Sequence, residues 1–215
     1  MSEYHKIQTL WLRDSATNFK TLLEGEWALP EFAYLKDNRW VFTEKVDGTN
    51  IRVIWDGSAV TFGGKTDNAQ IPAPLVATLM ATFTPEIMSV ALKGPLVLYG
   101  EGYGPKIQSG GRYADVASFI LFDAAADGMW LNHETLEEIA AALKIALVPI
   151  VGLGSLADAI QLARNDFRSV VAKDPTLIAE GLVVRPAIEL LNRRGSRIIG
   201  KIKHKDFRPT EGGEA

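Results

Sequence analysis

The stretch NIRVIWDGSAVTFGG, residues 50–64, is two short alternating runs that meet at Asp56-Gly57. Alternation sends successive side chains to opposite faces of a strand, and Asp-Gly is a turn that joins antiparallel neighbours. The same pattern recurs in SFILFDAAADGMWL, residues 118–131, with Asp127-Gly128 at its turn. RWVFTEK, PLVLYGEGYG, AEGLVVRP and SRIIGKIKHKDF read as further strands, each bounded by a polar or glycine turn.

Helices fall between them. APLVATLMATFTPEIMSVAL has helical apolar spacing, broken near Pro85. NHETLEEIAAALKIA opens on Asn132 as an N-cap with an acidic first turn. SLADAIQLARNDFRSVVA opens on Ser155 with Asp158 three residues on, the spacing of a capping box. These signals predict at least seven strands and three helices. The fold class is α+β, with largely antiparallel sheets and packed helices. No repeat or linker divides the chain, so the expectation is one domain over residues 1–208 and a short polar tail, 209–215.

Composition removes several chemistries. There is no cysteine, which excludes disulfides, Cys-ligated zinc and thiol catalysis. The three histidines, His5, His133 and His204, are not at metal-ligand spacing. No apolar run reaches the roughly 20 residues of a membrane span, and MSEYHKIQ carries no signal segment. The expectation is a cytoplasmic protein with no membrane partner. A net charge of -3 does not announce a nucleic-acid binder. Charge is uneven, however: NRRGSRIIGKIKHKDFR, residues 192–208, is strongly basic.

Several strands deliver polar groups. Lys45 ends the first, Arg52 lies on the next, and Glu101 follows LVLYG. Phe122 and Asp123 close SFILFD, Glu180 precedes GLVVR, and Lys201 and Lys203 alternate on one face of the last strand. Each alone admits an ordinary reading: a hairpin-flank lysine, a solvated strand edge, a core phenylalanine. Together, cations (Lys45, Arg52, Lys65, Lys201, Lys203) and carboxylates (Asp47, Glu101, Glu180) are what nucleotide chemistry with a divalent metal needs. GYGPKIQSGG lacks the ending and the context of a phosphate loop.

The order of these motifs resembles the covalent nucleotidyltransferases, which include DNA ligases, RNA ligases and mRNA capping enzymes. TEKVDGTN resembles motif I, YGEGYG motif III, FILFDA motif IIIa, AEGLVVRP motif IV and GKIKHKDF motif V. KVDGTN ends in Asn, and GGKTDNAQIP follows the hairpin, both similar to the RNA-ligase branch near the phage nick-sealing enzymes. YHKIQTLWLRD resembles the opening segment of that branch. The resemblance implies an ATP-grasp-like nucleotidyltransferase core. It implies an ATP-dependent RNA ligase that joins a 5′-phosphate to a 3′-hydroxyl with Mg2+ or Mn2+.

By matching position, the resemblance gives Lys45 the role of nucleophile, carrying AMP. Glu44 offers its backbone to adenine, Phe122 stacks on the base, and Glu101 contacts the ribose. Asp47, Glu101 and Glu180 hold the metal through waters. Lys201 and Lys203 grip the α-phosphate and lower the Lys45 pKa, and Glu180 joins them as catalytic. Asn50, Arg52 and Lys65 contact phosphates. Lys65 stands where the family carries Arg, and a lysine cannot make the bidentate fork. Asp123 is a structural brace.

Family ligases usually carry a second module after motif V, whereas here Phe207 is followed by eight residues. The implied partners are RNA ends, a nicked duplex among them, and a protein that replaces the missing module. The compact form resembles a phage gene product. The rival readings are a minimal DNA ligase and a non-catalytic nucleotide- or RNA-binding protein on the same scaffold.

Overall fold

The computed structural model describes residues 3–208; the predicted tail lies outside them. Along the chain come β1 (Gln8–Thr9), β2 (Trp11–Arg13), β3 (Leu22–Trp27), α1 (Pro30–Leu35), β4 (Trp40–Lys45), β5 (Thr49–Trp55) and β6 (Val60–Gly63). There follow α2 (Ala73–Thr82), α3 (Pro85–Ala91), β7 (Leu96–Tyr103), β8 (Ser118–Ala126), β9 (Met129–Trp130), α4 (His133–Leu143) and β10 (Ala146–Leu147). The chain then forms β11 (Ile150–Gly154), α5 (Leu156–Arg164), β12 (Gly181–Pro186) and β13 (Gly200–Lys203). The architecture is α+β with mostly antiparallel pairing, as the turn pattern predicts.

The chain forms two compact units. The first comprises Val46–Val148, Val171–Asp174 and the described residues up to His5. Its six-stranded sheet runs β10-β8-β7-β5-β6, with β9 beside β8. One face buries Ile51, Val53, Leu98 and Leu121 against Leu75 and Leu79 of α2, Met88 of α3 and Leu136 of α4. Each such aliphatic contributes about 1.5–3 kcal/mol of burial.

The predicted break near Pro85 is two helices. Thr84 caps the second, its side chain accepting from Ile87 N. Asn132 caps α4 as expected, accepting from Thr135 N at 2.9 Å.

The second unit holds the remaining residues, Lys6–Lys45, Pro149–Val170 and the segment from Pro175 on. Its five-stranded sheet runs β1-β13-β12-β4-β11, and β2 pairs with β3 separately. Phe42, Leu182, Val184 and Ile202 face a core with Phe32 of α1 and Leu156 and Ala159 of α5.

The capping box is present: Asp158 N donates to Ser155 Oγ, and Ser155 N to Asp158 Oδ2 at 2.8 Å. Helix α5 is shorter than its sequence pattern predicts. It stops at Arg164, because Asn165 turns extended and residues 169–170 are drawn to another partner, described below. The β1–β13 and β10–β8 pairs are parallel, which no hairpin signal foretells.

Candidate functional site

Strand register in the second unit gathers the lysines. Lys45 of β4 lies opposite Gly181 of β12, and Gly181 lies opposite Lys203 of β13. Lys201 is opposite Val183, which is opposite Thr43. Directly opposed residues share a face, and so do residues two apart. Lys45, Lys201 and Lys203 therefore stand on one face, while Phe42, Leu182 and Ile202 fill the core behind it.

Glu180 sits one residue before β12, the strand between β4 and β13. Its Oε2 accepts from Lys45 Nζ at 2.5 Å, and its Oε1 pairs with Lys203 Nζ at 2.6 Å. The three side chains are 22%, 23% and 13% exposed for Lys45, Lys203 and Glu180. One carboxylate thus links two half-buried ammonium groups, with Lys201 on the same face. The cluster is cationic in sum and suits phosphate oxygens.

The backbone beneath is tight. Gly181 has φ +156°, and a Cβ there would lie 2.0 Å from Ile202 O. Only glycine lets β12 and β13 close at this point. His204 N donates to Glu180 O at 2.9 Å and completes the closure.

Glu44, whose expected role lies in its backbone, also has a side chain with a structural part. Its backbone N–H donates to Pro149 O at 3.2 Å. Its side chain, 1% exposed, is held by the Ser169 hydroxyl and by Val170 N at 2.8 Å. The carboxylate ties the residue before the nucleophile candidate to the loop after α5. Nothing in the sequence flagged Ser169, because that segment reads as helix.

In the first unit, the sheet face opposite the core carries the other candidates. Asn50 of β5 is opposite Glu101 of β7, and Arg52 is opposite Tyr99. Asn50 Oδ1 is buried and has no hydrogen-bond partner among the described residues. Asp47, at the turn before β5, accepts from Ser109 N at 3.3 Å. Gly48 is required there by space: a Cβ would come within 2.3 Å of Gly102 O.

Phe122 is the extra residue of a β-bulge. Tyr99 pairs with Asp123 and Gly100 with Leu121, so Phe122 has no opposite partner. The core side of β8 accordingly shifts from Phe119 and Leu121 to Ala124. A bulge re-aims a side chain out of the regular alternation. Tyr4 packs edge-on against Phe122 with ring centroids 5.1 Å apart, and Tyr4 also contacts Tyr99 and Trp130. The Tyr4 hydroxyl donates to Asp123 Oδ2 at 2.8 Å, and Asp123 is 1% exposed. Tyr4 lies in the opening segment YHKIQTLWLRD, where no local pattern marks it for this position.

Arg52 is 2% exposed. Its Nε donates to Gly64 O at 2.9 Å and a terminal nitrogen to Asp67 Oδ1 at 2.7 Å. It therefore pins the turn that presents the exposed Lys65. Among the described residues, no group of three or more His, Asp or Glu side chains is placed to hold a metal ion by itself.

The family described as RNA ligase matches residues 38–203. Among solved structures, the chain is similar to a Naegleria gruberi RNA ligase mutant with ATP and Mn, at 18% identity and TM-score 0.68. A second mutant of that ligase, with AMP and Mn, matches at 16% identity and TM-score 0.68. Each match covers 94% of this chain and 56% of the other. The chain thus spans just over half the length of those ligases, and at this identity the likeness concerns the fold.

Proposed function

Because the chain belongs to the RNA ligase family, we propose that it is an ATP-dependent RNA ligase that works through an AMP-lysine intermediate at Lys45. The observation that carries this reading is the Lys45–Glu180–Lys203 linkage on a cationic sheet face. Lysine attacks as the neutral amine. Its Nζ bonds to the α-phosphorus of ATP, the bond to the bridging oxygen breaks, and pyrophosphate leaves. Glu180 Oε2, at 2.5 Å, is the acceptor nearest the departing ammonium proton. Lys201 and Lys203 bind α-phosphate oxygens, where charge builds in the transition state. AMP then passes to an RNA 5′-phosphate, and attack by a 3′-hydroxyl seals the strand and releases AMP.

The first unit supplies the nucleotide contacts. Phe122, set outside the strand alternation, offers a ring face to adenine. Glu101 takes the ribose, Asn50 and Lys65 take phosphates, and Arg52 fixes the Lys65 turn. Glu44 acts at the adenine edge through the backbone that its buried carboxylate steadies.

A divalent cation is implied by the family. Asp47, Glu101 and Glu180 carry the hard oxygen donors that Mg2+ or Mn2+ takes and would hold such an ion through waters, since these ions keep several waters and share substrate phosphates instead of needing a protein cage. When bound, the cation would neutralise triphosphate charge.

The test is sealing of a nicked duplex whose 3′-hydroxyl strand is RNA or DNA, with ATP and magnesium. Sealing at RNA ends supports the reading; sealing only at DNA ends turns it into a DNA ligase. Covalent labelling by ATP without sealing of any end would leave an adenylyltransferase whose acceptor lies elsewhere.

A further inference from the structure

The second unit carries an open groove of about 850 Å3, lined by neither Lys45 nor Glu180. Tyr34 and Leu35 of α1 contribute to it, as do Leu191, Arg193 and Arg194 of the hairpin 190–198. The hairpin is firmly tied. Ile198 N donates to Leu190 O at 3.0 Å, and Asn192 N to Ser196 O at 2.8 Å. Asn192 Oδ1 accepts from Arg194 N and Ser196 N at 2.9 and 3.0 Å, and Gly195 closes the turn at φ +76°. A tip fixed in this way presents two adjacent arginines with little further backbone ordering.

Charge in the hairpin is sorted. Arg197 is buried and paired with Glu189, the residue just before the hairpin, and the hairpin itself carries no carboxylate. Arg193 and Arg194 are exposed and enter no ion pair among the described residues. Glu31 is the one carboxylate lining the groove. Tyr34, in the same groove, is 87% exposed, so its ring is open to a ligand.

We propose that this groove holds a single-stranded segment of the polynucleotide substrate, with phosphates at Arg193 and Arg194 and a base on Tyr34. The proposal rests on the ligase reading above and says where this core grips its substrate. Guanidinium forks match phosphate geometry, and an aromatic face stacks any base. The chain is net negative, at -3, so its attraction for a phosphate backbone must be local, and this tip is such a place. An acidic protein segment would also meet the two charges; a single strand meets them with successive phosphates and in addition stacks a base on the exposed Tyr34 ring.

The test uses the full chain and a fluorescent, 5′-phosphorylated single-stranded RNA, with binding followed by anisotropy over a salt series. Replacing both arginines (Arg193→Gln with Arg194→Gln) should lower the slope of log Kd against log salt by about 1.4, or roughly 0.7 per phosphate. Tyr34→Ala should weaken binding about tenfold, and Tyr34→Phe should keep wild-type affinity. Unfolding curves on the same preparations show that each variant is folded. An unchanged salt slope, or a Tyr34→Ala variant that binds as wild type does, would overturn the proposal and leave the groove to a protein partner. Sealing by the wild-type chain is scored in parallel: a chain that binds RNA but never joins it defeats the ligase reading, not the groove.

Discussion

Lys45 Nζ stands 2.5 Å from Glu180 Oε2, although 135 residues separate them in the chain. Register alone brings them together, since Gly181 of β12 lies opposite Lys45 of β4. The same carboxylate reaches Lys203 through its other oxygen. On this account Glu180 positions the nucleophile and receives its proton.

Glu180→Gln should therefore lose covalent labelling by ATP by at least about a hundredfold, the lower range for a general acid–base group. Both lysines can swing toward water, so stability should fall by no more than about 2 kcal/mol. Labelling rates and urea unfolding measured on one preparation separate the two effects. Near-normal labelling would remove Glu180 from the mechanism.

Gly181→Ala tests the backbone beneath the cluster. The added methyl meets Ile202 O, and the φ of +156° strains any side chain. We expect a loss of at least about 2 kcal/mol on unfolding, together with weakened labelling, because the β12–β13 closure positions Glu180. Wild-type stability would show that the strands part at this point without cost.

Tyr4→Phe removes one hydrogen bond to the buried Asp123 carboxylate and keeps the ring against Phe122. Stability should fall by about 1–3 kcal/mol. Phe122→Ala, by contrast, should act mainly on ATP, raising its KM. A Phe122→Ala variant with wild-type KM would place adenine elsewhere.

Much of this site was legible in the sequence. The motif I, IV and V residues fall on one sheet face because β4, β12 and β13 alternate as their apolar patterns predict. Caps at Asn132 and Ser155 were visible because capping is a local matter of side chain and spacing. Three features were not legible. The Phe122 bulge is a register shift between partners, which one strand cannot reveal. The Glu44–Ser169 bond joins residues 125 apart, one of them in a segment with helical composition. The parallel β1–β13 pair involves a strand of only two residues, too short to carry a pattern.

Acid should act on α5 through its cap. Hydrogen bonds from the Ser155 side chain, then its backbone, hold the Asp158 carboxyl below its usual range. A depressed carboxylate pKa contributes stability above the unfolded value, about 3.9, and loses it as pH falls through the folded value. The Tm gap between wild type and Asp158→Asn should be full at neutral pH and shrink below about pH 4. A gap independent of pH would mean that the cap does not depend on the charge.

The central claim is that Lys45 carries AMP, and peptide mapping tests it most directly. The chain is incubated with ATP and magnesium, denatured, digested and examined by mass spectrometry. The account predicts an AMP adduct on the peptide containing Lys45, released by acid and absent from Lys45→Ala. An adduct on any other lysine, or label that persists in Lys45→Ala, would contradict it.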